Sequence, residues 1–153
     1  MPKKSAGLLL YRKADSGLEV LLVHPGGPFW RNKDEGAWTI PKGEFNNDED
    51  PLAAAKREFQ EELGASPPDG EYLQLKPIKQ KNGKVVHAWA ARGNFDLSTL
   101  ESSTFVCEWP PKSGRVQTFP EVDRAEWFNS AVAKRKLLAA QVALVDELLE
   151  VLT

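Results

Sequence analysis

The chain has 153 residues, 41% hydrophobic and 27% charged, with a formal net charge of −2. These values suit one globular domain spanning 1–153, and they argue against general electrostatic binding to nucleic acid and against a membrane span. The lone Cys107 excludes an intrachain disulfide and a multi-cysteine zinc site, and with only His24 and His87 as histidines, any bound metal is expected to be a hard cation held by oxygens.

Two apolar runs, "AGLLLYR" (Ala6 to Arg12) and "LEVLLVH" (Leu18 to His24), read as strands joined by the turn-like "KADSG". Their apolar residues are consecutive, as expected where both faces of a sheet are covered. The first run breaks at Tyr11-Arg12-Lys13, too early for a signal peptide, so a cytoplasmic location is expected. A long Gly- and Pro-rich stretch follows, with one strand-like piece, "AWTI". A helix is then expected from Pro51, with Asp50 as N-cap and Gly64 as terminator. "YLQLKPIKQ" and "KVVHAWAAR" flank Asn82-Gly83, a hairpin signal. "STFVCEW" reads as a strand, "PPKSGRVQ" as a loop, and "FPEVDRAEWFN" as a turn and short strand. Ser130 to Leu152 reads as one helix packed on the sheet through Val132, Leu137, Leu138, Val142, Val145, Leu148 and Leu149. The mixture predicts an α/β layered sandwich.

The helix from Pro51 carries an unusual charge pattern. At about 100° per residue, Leu52, Ala55, Phe59 and Leu63 share one stripe. Glu58, Glu61 and Glu62 occupy an adjacent stripe over Ala54, where like charges at i, i+3 and i+4 repel. No Lys or Arg follows any of the three at i+4, and Arg57 alone does not balance them. A divalent cation would resolve the conflict. Mg²⁺ takes carboxylate, water and phosphate oxygens, so this face points to phosphoanhydride hydrolysis.

The longer pattern sharpens that reading. Gly43, five residues, Glu49, seven residues and "REFQEELGA" resemble the Nudix box, G-x5-E-x7-R-E-U-x-E-E-x-G-U, with U a bulky apolar residue. Gly43, Glu49, Arg57, Glu58, Glu61, Glu62 and Gly64 match in identity and spacing, whereas Phe59 and Ala65 are atypical at the apolar positions. The lead-in "AWTIPKGE" resembles the family's entry to the box. The resemblance implies an α/β/α sandwich with a mixed sheet and a loop–helix–loop metal site. It implies hydrolysis of a nucleoside diphosphate linked to another group, with Mg²⁺ as cofactor and Mn²⁺ as a substitute. Glu58, Glu61 and Glu62 are then the magnesium ligands, Glu58 doubles as a candidate general base, and Arg57, paired with Glu49, orients a carboxylate. The backbone at Lys42 or Gly43 supplies a further ligand. "FPEVDRAEWF" resembles a segment of RNA pyrophosphohydrolases and dinucleoside-polyphosphate hydrolases, which makes Glu121 a further metal ligand, with Glu101 and Glu108 as alternatives.

For the substrate, Lys42, Lys112 and Arg115 are the candidate phosphate contacts. Phe29, Trp30, Trp38 and Trp109 are candidates to stack on a base. His87 and Cys107, in strand-like runs, are expected to pack. A small nucleotide is the expected partner, either a nucleoside triphosphate or a dinucleoside polyphosphate. The rival readings are a nucleotide-sensing Nudix-fold module without catalysis and a structural domain with a solvated acidic helix. Oligomeric state is left open.

Overall fold

The computed structural model of the chain describes residues 3–15 and 17–152. The first two apolar runs form strands β1 (Lys4–Ala14) and β2 (Gly17–Pro25), paired antiparallel with Ala14 opposite Gly17. Strand β6 (Val85–Arg92) runs parallel to β1. The short strands β4 (Tyr72–Gln74) and β5 (Ile78–Lys79) pair antiparallel with β6. The β5–β6 turn carries Gly83 at φ 89°, where the Asn-Gly signal places it. Strand β9 (Val122–Asn129) lies antiparallel to β2. With β3 (Lys42–Glu44) on β1, the described residues make one seven-stranded mixed sheet, ordered β4-β6-β1-β2-β9.

Because successive strand side chains alternate faces, the consecutive apolar residues of β1 and β2 fill two cores. Leu8, Leu10, Leu21 and Val23 pack with Phe59 and Leu63 of helix α1 (Pro51–Leu63). Leu9, Tyr11, Val20 and Leu22 pack with Ala133 of α2 (Ser130–Lys136) and with Leu144, Val145 and Leu148 of α3 (Val142–Val151). Helices therefore cover both sheet faces, as the sandwich expectation required.

One edge of β1 is shared. Its C-terminal part pairs with β2, and Ser5, Ala6 and Gly7 pair with β3. The segment 38–41 fills the opening between them. Thr39 exchanges backbone hydrogen bonds with Val23, and the Leu8 N–H donates to the Pro41 carbonyl at 3.1 Å. Expected strand "AWTI" is therefore two isolated bridges, Val23↔Thr39 and Trp38↔Leu137, because it spans a splayed gap rather than a continuous edge.

The same gap breaks the expected single C-terminal helix. Leu137 and Leu138 turn extended between α2 and α3. The Trp38 N–H donates to the Lys136 carbonyl and the Leu138 N–H to the Trp38 carbonyl, at 2.9 and 2.8 Å. Gln141, fully buried, accepts the Ile40 N–H and donates to Thr39 and Gln80 side chains. Buried backbone groups must find partners, and that demand outweighs helical continuity here. A final two-stranded sheet, β7 (Thr104–Glu108) with β8 (Val116–Pro120), stands apart from the main sheet, and β8 takes up part of the expected loop. No helix among the described residues is long and apolar enough to cross a membrane.

Candidate active site

The acidic helix has the expected ends. Asp50 accepts the Ala53 N–H at 3.0 Å, Pro51 opens the first turn, and Gly64 closes the helix at φ 76°. A side chain at Gly64 would also meet the Glu101 carbonyl oxygen at 2.6 Å. Phe59, Leu63, Ala54 and Ala55 are the buried residues, while Leu52, expected in the stripe, is only partly buried. Burial of Phe59 and Leu63 stabilises the docked helix by about 1.5–3 kcal/mol each. That docking holds the glutamate face at a fixed height above β1 and β3.

Arg57 organises the carboxylates. Its Nε and Nη2 donate to the two Glu49 oxygens at 2.8 and 3.0 Å, a forked pair. Its Nη1 donates to Glu58 at 2.9 Å and to Glu61 at 3.3 Å. Burial and then the neighbouring Glu61 raise the Glu58 carboxyl above its ordinary range. Glu62 is pushed up to about 8, by burial first and by Glu58 second. Glu62 also accepts the Lys42 N–H at 3.3 Å. Lys42 itself is lowered, chiefly by burial and then by Lys84.

Strand β3 completes the cleft. Gly43 lies so close to Glu58 that a Cβ there would overlap its carboxylate. Glu121 arrives from the other side, and the segment 101–103 explains how. The Glu101 and Ser103 N–H groups cap the Leu63 and Glu61 carbonyls of α1, and the Glu121 N–H donates to the Ser103 carbonyl at 2.8 Å. The Glu121 carboxyl is raised by burial and by Glu61. Glu58, Glu61, Glu62 and Glu121 thus line one cleft of about 330 Å³, beside Lys42 and Gly43. The donor set suits a hard divalent cation: carboxylate oxygens, three of them electrostatically disfavoured as bare anions. Among the described residues no three such groups converge into a finished cage, and Arg57 bonds both Glu58 and Glu61.

Comparison with known proteins decides the family. The model of the NUDIX domain matches residues 1–148. The chain belongs to the NUDIX domain family. The RNA pyrophosphohydrolase of Stenotrophomonas maltophilia (strain K279a) is 41% identical over 59 residues, 38% of this chain. That match spans only 29% of the length of the curated relative. A C. elegans Ap4A hydrolase, solved as a binary complex, superposes with a TM-score of 0.67 at 24% identity, covering 97% of each chain. The NUDIX domain of Shewanella oneidensis NrtR, solved with ADP ribose, gives 0.66 at 20% identity over 100% of this chain and 90% of that one. These two likenesses establish the fold.

Other expected site residues of this NUDIX domain fall elsewhere. Trp38 is 1% exposed, packs edge-on against His24 and Phe128, and donates its indole N–H to Asp34 at 2.7 Å. It fills the sheet gap and cannot stack on a ligand. Lys112 and Arg115 sit at the tip of the β7–β8 hairpin, whereas Glu121 follows its base. At ~3.3 Å per residue, Arg115 is roughly 20 Å along the strand from Glu121, and neither cation lines the carboxylate cleft. Glu108 accepts the Lys112 and Gly114 N–H groups, so its carboxylate folds the hairpin tip. Glu101 joins the helix end through its backbone. Phe29, Trp30 and Trp109 do come together, in a second cleft that Glu121 also lines.

Sequence reasoning overlooked Glu44 and Ser103, which line the carboxylate cleft. Glu44, adjacent to Gly43 and paired with Lys84 at 3.0 Å, was findable from its position in the motif. Ser103 carries no local signal. His24 was also overlooked. Fully buried, its ring nitrogens lie 2.8 Å from Asp123 Oδ1 and 2.6 Å from the Lys33 carbonyl, which pins the segment after β2 to β9.

Proposed function

We propose that this NUDIX domain hydrolyses a phosphoanhydride bond in a nucleoside diphosphate linked to a further group, with Mg²⁺ as cofactor and Mn²⁺ as a substitute. The substrate is a nucleoside triphosphate or a dinucleoside polyphosphate. The observation that carries the reading is the shared cleft of Glu58, Glu61, Glu62 and Glu121, whose crowding a bound divalent cation would relieve. The Ap4A hydrolase and RNA pyrophosphohydrolase relatives agree with that chemistry. A net charge of −2 favours a small nucleotide over a long RNA.

In this reading the four glutamates and the backbone beside Gly43 hold the cation. When bound, it offsets phosphate charge and lowers the pKa of water for attack at phosphorus. Glu58, partly buried and raised, is the group placed to take a proton from the attacking water. Lys42, lining the same cleft, meets the phosphates. Arg57, locked by Glu49, holds Glu58 and Glu61 in position.

The test is phosphate or pyrophosphate release over a panel of nucleotides with Mg²⁺, for wild type and Glu61→Gln. Turnover lost in Glu61→Gln supports the assignment, and turnover unaffected by it overturns the metal site. Nucleotide binding with no turnover of any panel member would instead favour a sensor, a reading that the ADP-ribose complex of the NrtR NUDIX domain makes worth testing.

A further inference from the structure

The second cleft, on the far side of Glu121, has a volume of about 340 Å³. That is the small end of ligand sites, which run from about 300 to 1,000 Å³. Two separate pieces of chain build it. Phe105, Cys107 and Trp109 alternate along one face of the first hairpin strand and its end, and the segment Pro25 to Trp30 forms the facing wall. The wall follows directly from β2, and the Gly26 N–H donates to the Glu121 carbonyl at 2.9 Å. Gly27, at φ 96°, lets the backbone approach Phe105, and a Cβ there would lie 2.8 Å from the ring.

The wall is held rather than loose. His24 binds the Lys33 carbonyl, the Lys33 N–H donates to the Trp30 carbonyl, and the Lys33 ammonium lies 3.7 Å from the Phe29 ring centroid. Apart from the two indoles, the only lining side chains with hydrogen-bonding capacity are Cys107 and Glu121. Glu121 also lines the carboxylate cleft, so the two spaces adjoin at one residue.

We propose that this aromatic cleft is the nucleobase subsite, and that it grips the base by stacking and apolar contact without reading its hydrogen-bonding edge. Every base has a π-face, so stacking tolerates all of them. A site rejects a ligand strongly only when its own buried polar groups would go unpaired, and this wall offers few. The volume takes one ring system with its sugar, and the phosphates then run past Glu121 toward the other glutamates. The placement relative to the reaction rests on the hydrolase reading, while the ring-binding role does not require turnover.

Steady-state kinetics on ATP, GTP, CTP and UTP, with inorganic tripolyphosphate as a base-free control, tests the idea. The four nucleotides are expected to fall within about tenfold of one another in kcat/KM. Trp109→Ala should raise KM for all four roughly 5- to 150-fold and leave tripolyphosphate unchanged, with Trp109→Phe recovering most of the loss. Phe29 is 65% exposed, and Phe29→Ala, which removes a ring together with its Lys33 contact, should act in the same ring-dependent direction. Equal weakening of ATP and tripolyphosphate in both alanine variants would overturn the proposal, as would a preference above about 100-fold for one base. Calorimetric titration with AMP and ribose 5-phosphate needs no catalysis. AMP binding that ribose 5-phosphate lacks, and that Trp109→Ala removes, supports the cleft even if no nucleotide is turned over. Equal binding of the two ligands would sink it.

Discussion

The carboxylate cleft and the aromatic cleft meet at Glu121 but are assembled differently. The first takes Glu58, Glu61 and Glu62 from one turn of α1, with β3 laid against them. The second takes rings from the β7–β8 hairpin and from the segment after β2, about 80 residues apart in the chain. A charge cluster can be written in a local spacing, because one helix turn sets the distances between its members. An aromatic cleft needs two distant surfaces to be held face to face. The expected chemistry divides the same way: the helix acts on phosphorus, and the rings bind whatever the phosphates carry.

Substitutions that separate the two clefts test that division, and the largest effect belongs to the helix. Glu58→Gln should lower kcat about 10²- to 10⁴-fold while AMP affinity, read by calorimetry, stays at the wild-type value. A parallel fall in AMP affinity would show that the clefts are not separable. Next in size is Arg57→Lys, since an ammonium cannot reproduce the fork on Glu49 while also holding Glu58 and Glu61. The Mg²⁺ concentration for half-maximal rate should rise about 10- to 100-fold, with kcat largely restored at saturation.

A smaller effect is expected on the aromatic side. His24→Gln keeps at most part of the link between Asp123 and Lys33. Loss of one such bond, worth ~0.5–1.5 kcal/mol, should raise nucleotide KM about 2- to 10-fold and leave tripolyphosphate hydrolysis alone. A separate effect falls on stability rather than on rate. The Glu62 carboxyl, at about 8 in the fold against ~4.3 when unfolded, binds its proton more tightly in the native state. In a chelator its contribution is therefore fully present below about pH 4.3 and fades as pH rises through 8. Thermal melts of wild type against Glu62→Gln should show that slope flattened in the variant. Added Mg²⁺ should raise the wild-type melting temperature most at the alkaline end.

Much of this was readable along the chain. The β1–β2 and Asn82-Gly83 hairpins, the Asp50 cap, the Gly64 terminator and the Arg57–Glu49 pairing each follow from residues close in sequence or from a fixed motif spacing. The misreadings share one cause. Local pattern predicts "AWTI" as a strand and 130–152 as one helix, but both border the gap where β1 parts from β2. There the need to satisfy buried backbone groups outranks periodicity. Trp38, a stacking candidate by residue type, is buried: composition cannot tell a gap-filling indole from a stacking one.

The sequence by itself determined the acidic face. Helical spacing sets three glutamates side by side, and the core stripe next to them fixes which way they point. Only the tertiary structure decided which further groups join that face. Glu121 reaches it because residues 101–103 lace the end of α1 to the start of β9, and Lys112 and Arg115 stay away because the hairpin carries them outward. The aromatic cleft, too, exists only once β9 pairs with β2 and brings the two walls together. Contacts between segments so far apart depend on strand pairing across the whole sheet, which no local window of residues encodes.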